Sequence, residues 1–128
     1  MQKNNPRILV VEDNPDILEL YTIMLGHNNY QILGKNRAEE IEPVIRNFSP
    51  DVIVLDMLLA GVDGLDVCKQ IKDDPSTRHI PVIMVSAHAS GLERSAEAGA
   101  EFFIAKPFEM ATFLNTISRA INLKDQNT

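Results

Sequence analysis

Five short apolar runs punctuate the chain: Ile8-Val11, Tyr30-Leu33, Val52-Leu55, Pro81-Val85 and Phe102-Ala105. Each is too short for a helix, and all but the second are apolar almost throughout rather than alternating. Strands of a parallel sheet covered on both faces have that character. The segments between them carry helical spacing. Ile17, Leu18, Tyr21, Met24 and Leu25 share one face of the first, with Asn14 as N-cap and Pro15 in the first turn. Leu65, Cys68 and Ile71 mark another segment. Leu92, Ala96 and Gly99 predict a short helix closed by a glycine, and Met110, Phe113, Leu114, Ile117 and Ile121 mark the last, with a polar end fraying from Lys124. In the second segment Ile41, Val44 and Ile45 form a stripe interrupted by Pro43. Either that helix starts late, with Pro43 in its first turn, or it is distorted.

Strand and helix in alternation predict a doubly wound α/β sheet. The 128 residues suit one domain, 1–128, with a core over about 7–121 and a polar tail over 122–128. No linker, repeat or low-complexity run divides them. The short polar lead, Met1 to Arg7, lacks the apolar stretch of a signal peptide, and no run approaches a membrane span, so a cytoplasmic protein without membrane insertion is expected. A net charge of −6 without clustered Lys or Arg argues against direct contact with nucleic acid. The single cysteine, Cys68, sits at a core position of its helix and reads as a packed thiol rather than a reactive one.

The polar residues that follow the apolar runs change this picture. Glu12 and Asp13 follow the first, Asp56 the third, Ser86 the fourth, and Lys106-Pro107 the fifth. Parallel strands end at one edge, and open α/β sheets bind ligands beyond those carboxyl ends. Three carboxylates, a hydroxyl and an ammonium are therefore expected in one place. Two carboxylates ~4 Å apart repel by about 4 kcal/mol at an effective dielectric near 20. A hard divalent cation relieves that cost, and Mg2+ suits carboxylate, carbonyl and water ligands. A carboxylate can also attack phosphorus to give an aspartyl phosphate, whose formation a metal, a lysine and a hydroxyl would assist. Taken singly, Glu12-Asp13-Asn14 could be an acidic helix cap, Asp56 a turn residue, Ser86 a capping hydroxyl and Lys106 a surface turn. Four suitable polar types at four strand ends outweigh those separate roles. The histidines His27, His79 and His88 show no metal-ligand spacing.

On these residues the chain resembles the receiver domains of bacterial response regulators, including the single-domain chemotaxis type. The matching pieces are Ile8-Leu9-Val10-Val11-Glu12-Asp13-Asn14, Pro50-Asp51-Val52-Ile53-Val54-Leu55-Asp56, Val62-Asp63-Gly64, Ser86-Ala87, and Gly99-Ala100 leading to Lys106-Pro107-Phe108. The resemblance implies a flavodoxin-like five-stranded parallel sheet of order 2-1-3-4-5 with helices on both faces. It implies Asp56 as phosphoacceptor, with Mg2+ held by Asp13, Asp56 and the Leu58 backbone carbonyl, and by Glu12 through a water. Lys106, before a cis bond to Pro107, would pair with the phosphoryl group, Ser86 would move toward it, and Phe103 would turn inward as the aromatic switch. Ordinary core packing is an equally good role for Phe103, since Phe102 beside it is also aromatic. The family often has Pro where Ala60 stands, so the shape of that loop is open. Leu58 cannot orient an attacking water, which predicts slow loss of the phosphoryl group; His88, two residues beyond Ser86, could orient one, although a surface role suits it better.

The implied partners are a sensor histidine kinase or phosphotransfer protein as donor and a downstream protein as target, with the chain a monomer or a phosphorylation-dependent dimer. Self-phosphorylation and slow dephosphorylation would be its only catalysis. The short segment after the last helix predicts a stand-alone receiver; a non-phosphorylated interaction module and a receiver excised from a hybrid kinase are the alternatives. A flavin or dinucleotide module would share the sheet, but Glu12-Asp13-Asn14-Pro15 lacks the glycines and repels phosphate.

Overall fold

A computed structural model describes residues 5–38, 41–59 and 61–126. The elements run β1 (Arg7–Val11), α1 (Pro15–Gly26), β2 (Gln31–Lys35), α2 (Ile41–Phe48), β3 (Val52–Asp56), β4 (Leu58–Leu59), β5 (Val62–Asp63), α3 (Gly64–Asp73), β6 (Val82–Ser86), α4 (Gly91–Glu97), β7 (Phe102–Ala105) and α5 (Met110–Gln126). Five strands form a parallel sheet in the order β2-β1-β3-β6-β7. This is the expected 2-1-3-4-5 order once the small antiparallel hairpin β4-β5 is set aside.

Successive side chains of a strand point to opposite faces, so each central strand feeds two cores. Leu9, Val11, Ile53, Leu55, Val82 and Met84 enter one, against Ile41 and Ile45 of α2, Leu65, Cys68 and Ile71 of α3, and Ala98 just after α4. Ile8, Val10, Val52, Val54, Ile83 and Val85 enter the other, against Tyr21, Met24 and Leu25 of α1 and Phe113, Ile117 and Ile121 of α5. A side chain of this size contributes about 2 kcal/mol when fully buried. Burial on both faces is why β3 and β6 read as unbroken apolar runs. β2 is an edge strand, exposed to half-buried along its length, which accounts for its mixed polarity.

Local signals explain most helix boundaries. The Asn14 side chain accepts from the backbone N–H of Asp16 and Ile17 at 2.9 and 3.3 Å, capping α1 at its proline start. Pro43 is the third residue of α2 as described and falls in its first described turn, where a missing N–H costs no intrahelical bond. Gly99 adopts φ 97 beyond α4, and the N–H groups of Gly99 and Ala100 close the helix on Ala96 and Ser95.

Two expectations need correction. The buried face of α4 is Gly91 and Ser95, followed by Ala98, while Leu92 is 63% exposed and Ala96 faces solvent. Small residues let this helix approach β6 and β7 closely, which turns its one large apolar residue outward. At the other end, α5 continues through Lys124 and Asp125 to Gln126 instead of ending where the composition turns polar. Cys68 is fully buried, and burial pushes its thiol up to about 11, in keeping with a packing role. Among the described residues no helix is long and apolar enough to cross a membrane.

Candidate functional site

The register of the sheet brings the polar residues together. Val11 pairs with Leu55, Asp56 with Val85, and Ser86 with Ala105, so β1, β3, β6 and β7 all finish at one edge. Ladder bonds then run one residue past each end. The Glu12 N–H donates to Lys35 O at 2.9 Å, Met57 N–H to Val85 O at 3.0 Å, and Lys106 N–H to Ser86 O at 2.9 Å. Side chains that leave this edge are thus held by sheet hydrogen bonding rather than by free loops.

Glu12, Asp13, Asp56, Leu58, Ser86 and Lys106 line one cleft of about 310 Å³. Glu12, Asp13 and Asp56 each place a carboxylate oxygen within 4.8 Å of the other two, the arrangement expected of a cation site among the described residues. The Lys106 Nζ donates to Asp56 Oδ2 at 2.8 Å and lies 3.6 Å from Glu12 Oε1. The other Asp56 oxygen, Oδ1, accepts from the Leu58 N–H at 3.1 Å. Glu12 is only 1% exposed, yet its Oε1 has no hydrogen-bond partner. One ammonium faces three carboxylates, so the cluster retains an excess of negative charge.

The titration behaviour follows from burial first and from that excess second. Burial, reinforced by Asp56, pushes the Glu12 carboxyl up to about 7. Burial alone would lower Lys106, but Asp56 and Glu12 outweigh it and hold the ammonium above its ordinary value. The consequence for stability has a definite sign. Between the ordinary carboxylate value of 4.5 and about 7, folded Glu12 holds a proton that the unfolded chain has lost. Metal-free protein should therefore lose stability as pH rises through this window, by on the order of 3 kcal/mol. Glu12→Gln should flatten that slope, checked by denaturant midpoints in EDTA between pH 4.5 and 8. Parallel slopes in the two proteins would refute the assignment.

Ser86 is 3% exposed, and its Oγ accepts from the His88 N–H at 2.9 Å. His88 itself uses Nδ1 to accept from the Ser90 N–H at 3.0 Å, keeping its ring engaged with its own loop. The Lys106-Pro107 bond is cis. Phe103 does not line the cleft; its half-buried ring packs on the core from the Gly91 side. Ala60 lies outside the described residues.

Two features of the site are not visible in the sequence. The Leu58 N–H on Asp56 depends on a backbone turn that no side chain announces. Gly64 stands out in the sequence only as part of a motif. Its N–H donates to Met57 O at 2.9 Å, and a Cβ there would lie 2.1 Å from the backbone oxygen of Asp56. The signal that points to it is Asp63-Gly64: Asp63 caps α3 through the Leu65 N–H, so the helix begins against the loop that carries Asp56.

Comparison with known proteins agrees with this geometry. The family profile of the response regulator receiver domain matches residues 8–118. The polar-differentiation response regulator DivK of Brucella anthropi is 36% identical over 112 residues, spanning 86% of this chain and 91% of that protein. Among solved structures, the signal receiver domain of a signal transduction histidine kinase from Syntrophus aciditrophicus superposes with a TM-score of 0.84 at 30% identity, covering 91% of this chain and 90% of that one. The receiver domain of a sensor histidine kinase from Pseudomonas aeruginosa, solved with a magnesium ion coordinated in its active site cleft, gives 0.83 at 26% identity, covering 92% and 98%. With four strand ends delivering an acidic cluster, a serine and a lysine to one cleft, and with this match over most of its length, the chain belongs to the response regulator receiver domains.

Proposed function

We propose that this chain is a phosphoacceptor receiver that takes a phosphoryl group onto Asp56 from a phosphohistidine of a kinase or phosphotransfer protein. In the transfer an Asp56 carboxylate oxygen bonds to phosphorus as the donor's P–N bond breaks and imidazole departs. The observation that carries this is Lys106 Nζ at 2.8 Å from Asp56 Oδ2, beside a buried Glu12 oxygen that accepts no hydrogen bond and meets the ammonium only at 3.6 Å.

That oxygen without a hydrogen bond, together with oxygen donors of three carboxylates in one place, fits a hard divalent cation. Mg2+ would be held by Asp13, Asp56 and the Leu58 carbonyl, with Glu12 acting through a water; the ion in the Pseudomonas aeruginosa receiver supports this assignment. When bound, the metal supplies charge neutralisation for the phosphoryl oxygens. The chain's own residues do the rest. Lys106 exchanges its hold on Asp56 for a phosphoryl oxygen, and Ser86 gives up the His88 N–H to donate to another. Phe103 follows Ser86 and reshapes the face built from α4, β7 and α5. A downstream protein that prefers one of the two shapes is then recruited or released through its differential affinity. On this reading residues 1–128 act as one receiver domain, whose self-phosphorylation and dephosphorylation are its only chemistry.

Purified protein incubated with acetyl phosphate and Mg2+ should gain one phosphoryl group per chain, and none in EDTA. Failure to label under any metal condition would leave the interaction-module alternative standing. Once labelled, the protein should lose phosphate slowly. Leu58 sits 72% exposed at the rim of the cleft and carries no polar atom to hold water. Leu58→Asn should shorten the phosphoryl lifetime several-fold, timed by loss of label in buffer. An equal or longer lifetime removes the role assigned to this position.

A further inference from the structure

The first turn of α4 carries a glycine whose missing side chain is already replaced by a neighbouring ring. A Cβ built on Gly91 would fall 2.7 Å from Phe103 Cζ, 2.8 Å from Phe103 Cε1 and 3.4 Å from Ser86 Cβ. Real Cβ atoms do not approach carbon so closely, so the Phe103 ring tip lies in the space a side chain would need. Gly91 has no left-handed backbone that would itself demand glycine. Conformational freedom does not explain this residue; room does.

The rest of that helix face is equally sparing. One turn on, Ser95 is buried to 1% exposure and its Oγ has no hydrogen-bond partner. Ala98 follows, and Leu92 points to solvent. The cap residue Ser90 makes no side-chain bond to the helix start. The first turn of α4 is thus seated against Phe103 and Ser86 by shape rather than by a deep apolar contact.

We propose that Gly91 is the positioning residue for the Phe103 ring: its bare Cα is the seat beside Ser86, and the size of residue 91 decides whether the ring can use that seat. The inference rests on the acceptor reading above for its regulatory meaning, since Phe103 and Ser86 are the residues assigned to follow phosphorylation. A methyl group at position 91 would fill the space that ring and Ser86 share. It would drive the ring from the position it holds here beside Ser86, the one from which it follows that hydroxyl, and so slow acceptance of phosphate, although residue 91 touches neither phosphate nor metal ligands.

The test is a cycle of Gly91→Ala, Phe103→Leu and the double variant, read in two ways. The first reading is the guanidinium midpoint. On helix propensity alone alanine stabilises relative to glycine, so the sign discriminates between the two explanations. Gly91→Ala should lower the midpoint when Phe103 is present, and leave it equal or raised once Phe103→Leu has removed the ring tip. A raised midpoint in the presence of Phe103 overturns the seat. The second reading is the initial rate of labelling by acetyl phosphate with Mg2+, in proteins folded under the assay conditions. Gly91→Ala should slow labelling at least threefold beside Phe103 and much less in the Phe103→Leu background. Equal slowing in both backgrounds overturns the regulatory role. If the parent protein takes no label at all, the acceptor reading fails and the regulatory role falls with it, while the midpoint cycle still judges the seat.

Discussion

Protein carrying Asp56→Asn should remain folded and take up almost no phosphate from acetyl phosphate and Mg2+. An amide has no anionic oxygen to attack phosphorus, so the loss is one of chemistry rather than of fit. Label should fall to roughly 1% of the parent level or below, allowing for slow attack by another carboxylate of the cluster. Glu12 and Asp13 each place a carboxylate oxygen within 4.8 Å of one Asp56 oxygen and are the side chains that could take over. Mass spectrometry of the intact protein and of its peptides distinguishes these cases. Full stoichiometric labelling of the asparagine variant would remove Asp56 from the centre of the mechanism.

The second large effect is expected at a residue with no functional group. Gly64 begins α3 with its Cα pressed against the loop that follows β3. A Cβ there would lie 2.1 Å from Asp56 O and 2.9 Å from both Met57 Cα and Met57 O. All three atoms are backbone, so no side chain can swing aside to make room. Gly64→Ala should therefore cost about 3 kcal/mol or more, at the upper end for overpacking. It should also disturb labelling, because the peptide it pushes carries Asp56. Gly61 is the comparison. Its φ of 74 makes alanine strained, but open space surrounds it, and Gly61→Ala should cost only ~1 kcal/mol. Guanidinium midpoints for the two variants test the contrast. Equal midpoints would mean that the loop yields and that Gly64 does not brace it.

These two residues mark the limits of what the sequence discloses. Asp56 is readable because it ends a fully apolar run, and burial on both faces of a parallel sheet requires such runs. Glu12, Asp13, Ser86 and Lys106 are readable for the same reason: strand ends share an edge, whatever the details of packing. Pro43 is compatible with its helical stripe because its lost N–H is harmless in a first turn. Gly64 and Gly91 cannot be read in this way. Their importance lies in which atoms occupy the volume of an absent methyl group, and that is decided by tertiary contact. The exposed Leu92 misleads for a related reason, since helical spacing gives three positions a common face without saying which face is inward. β4 and β5, of two residues each, are too short to show any alternation. The extension of α5 over Lys124 and Asp125 reflects a helix continuing by propagation after its apolar stripe has thinned.

The ion pair at the centre of the cleft joins residues 50 positions apart, one closing β3 and the other following β7. During synthesis the acidic half of the cluster leaves the ribosome well before its lysine. A nascent chain that has not yet delivered β7 holds Asp56 without its ammonium, in a sheet still missing an edge. Such long-range parallel pairing also slows folding as a whole. On the acceptor reading, a chain truncated before β7 lacks Lys106 and one edge strand and should therefore take no label from acetyl phosphate and Mg2+.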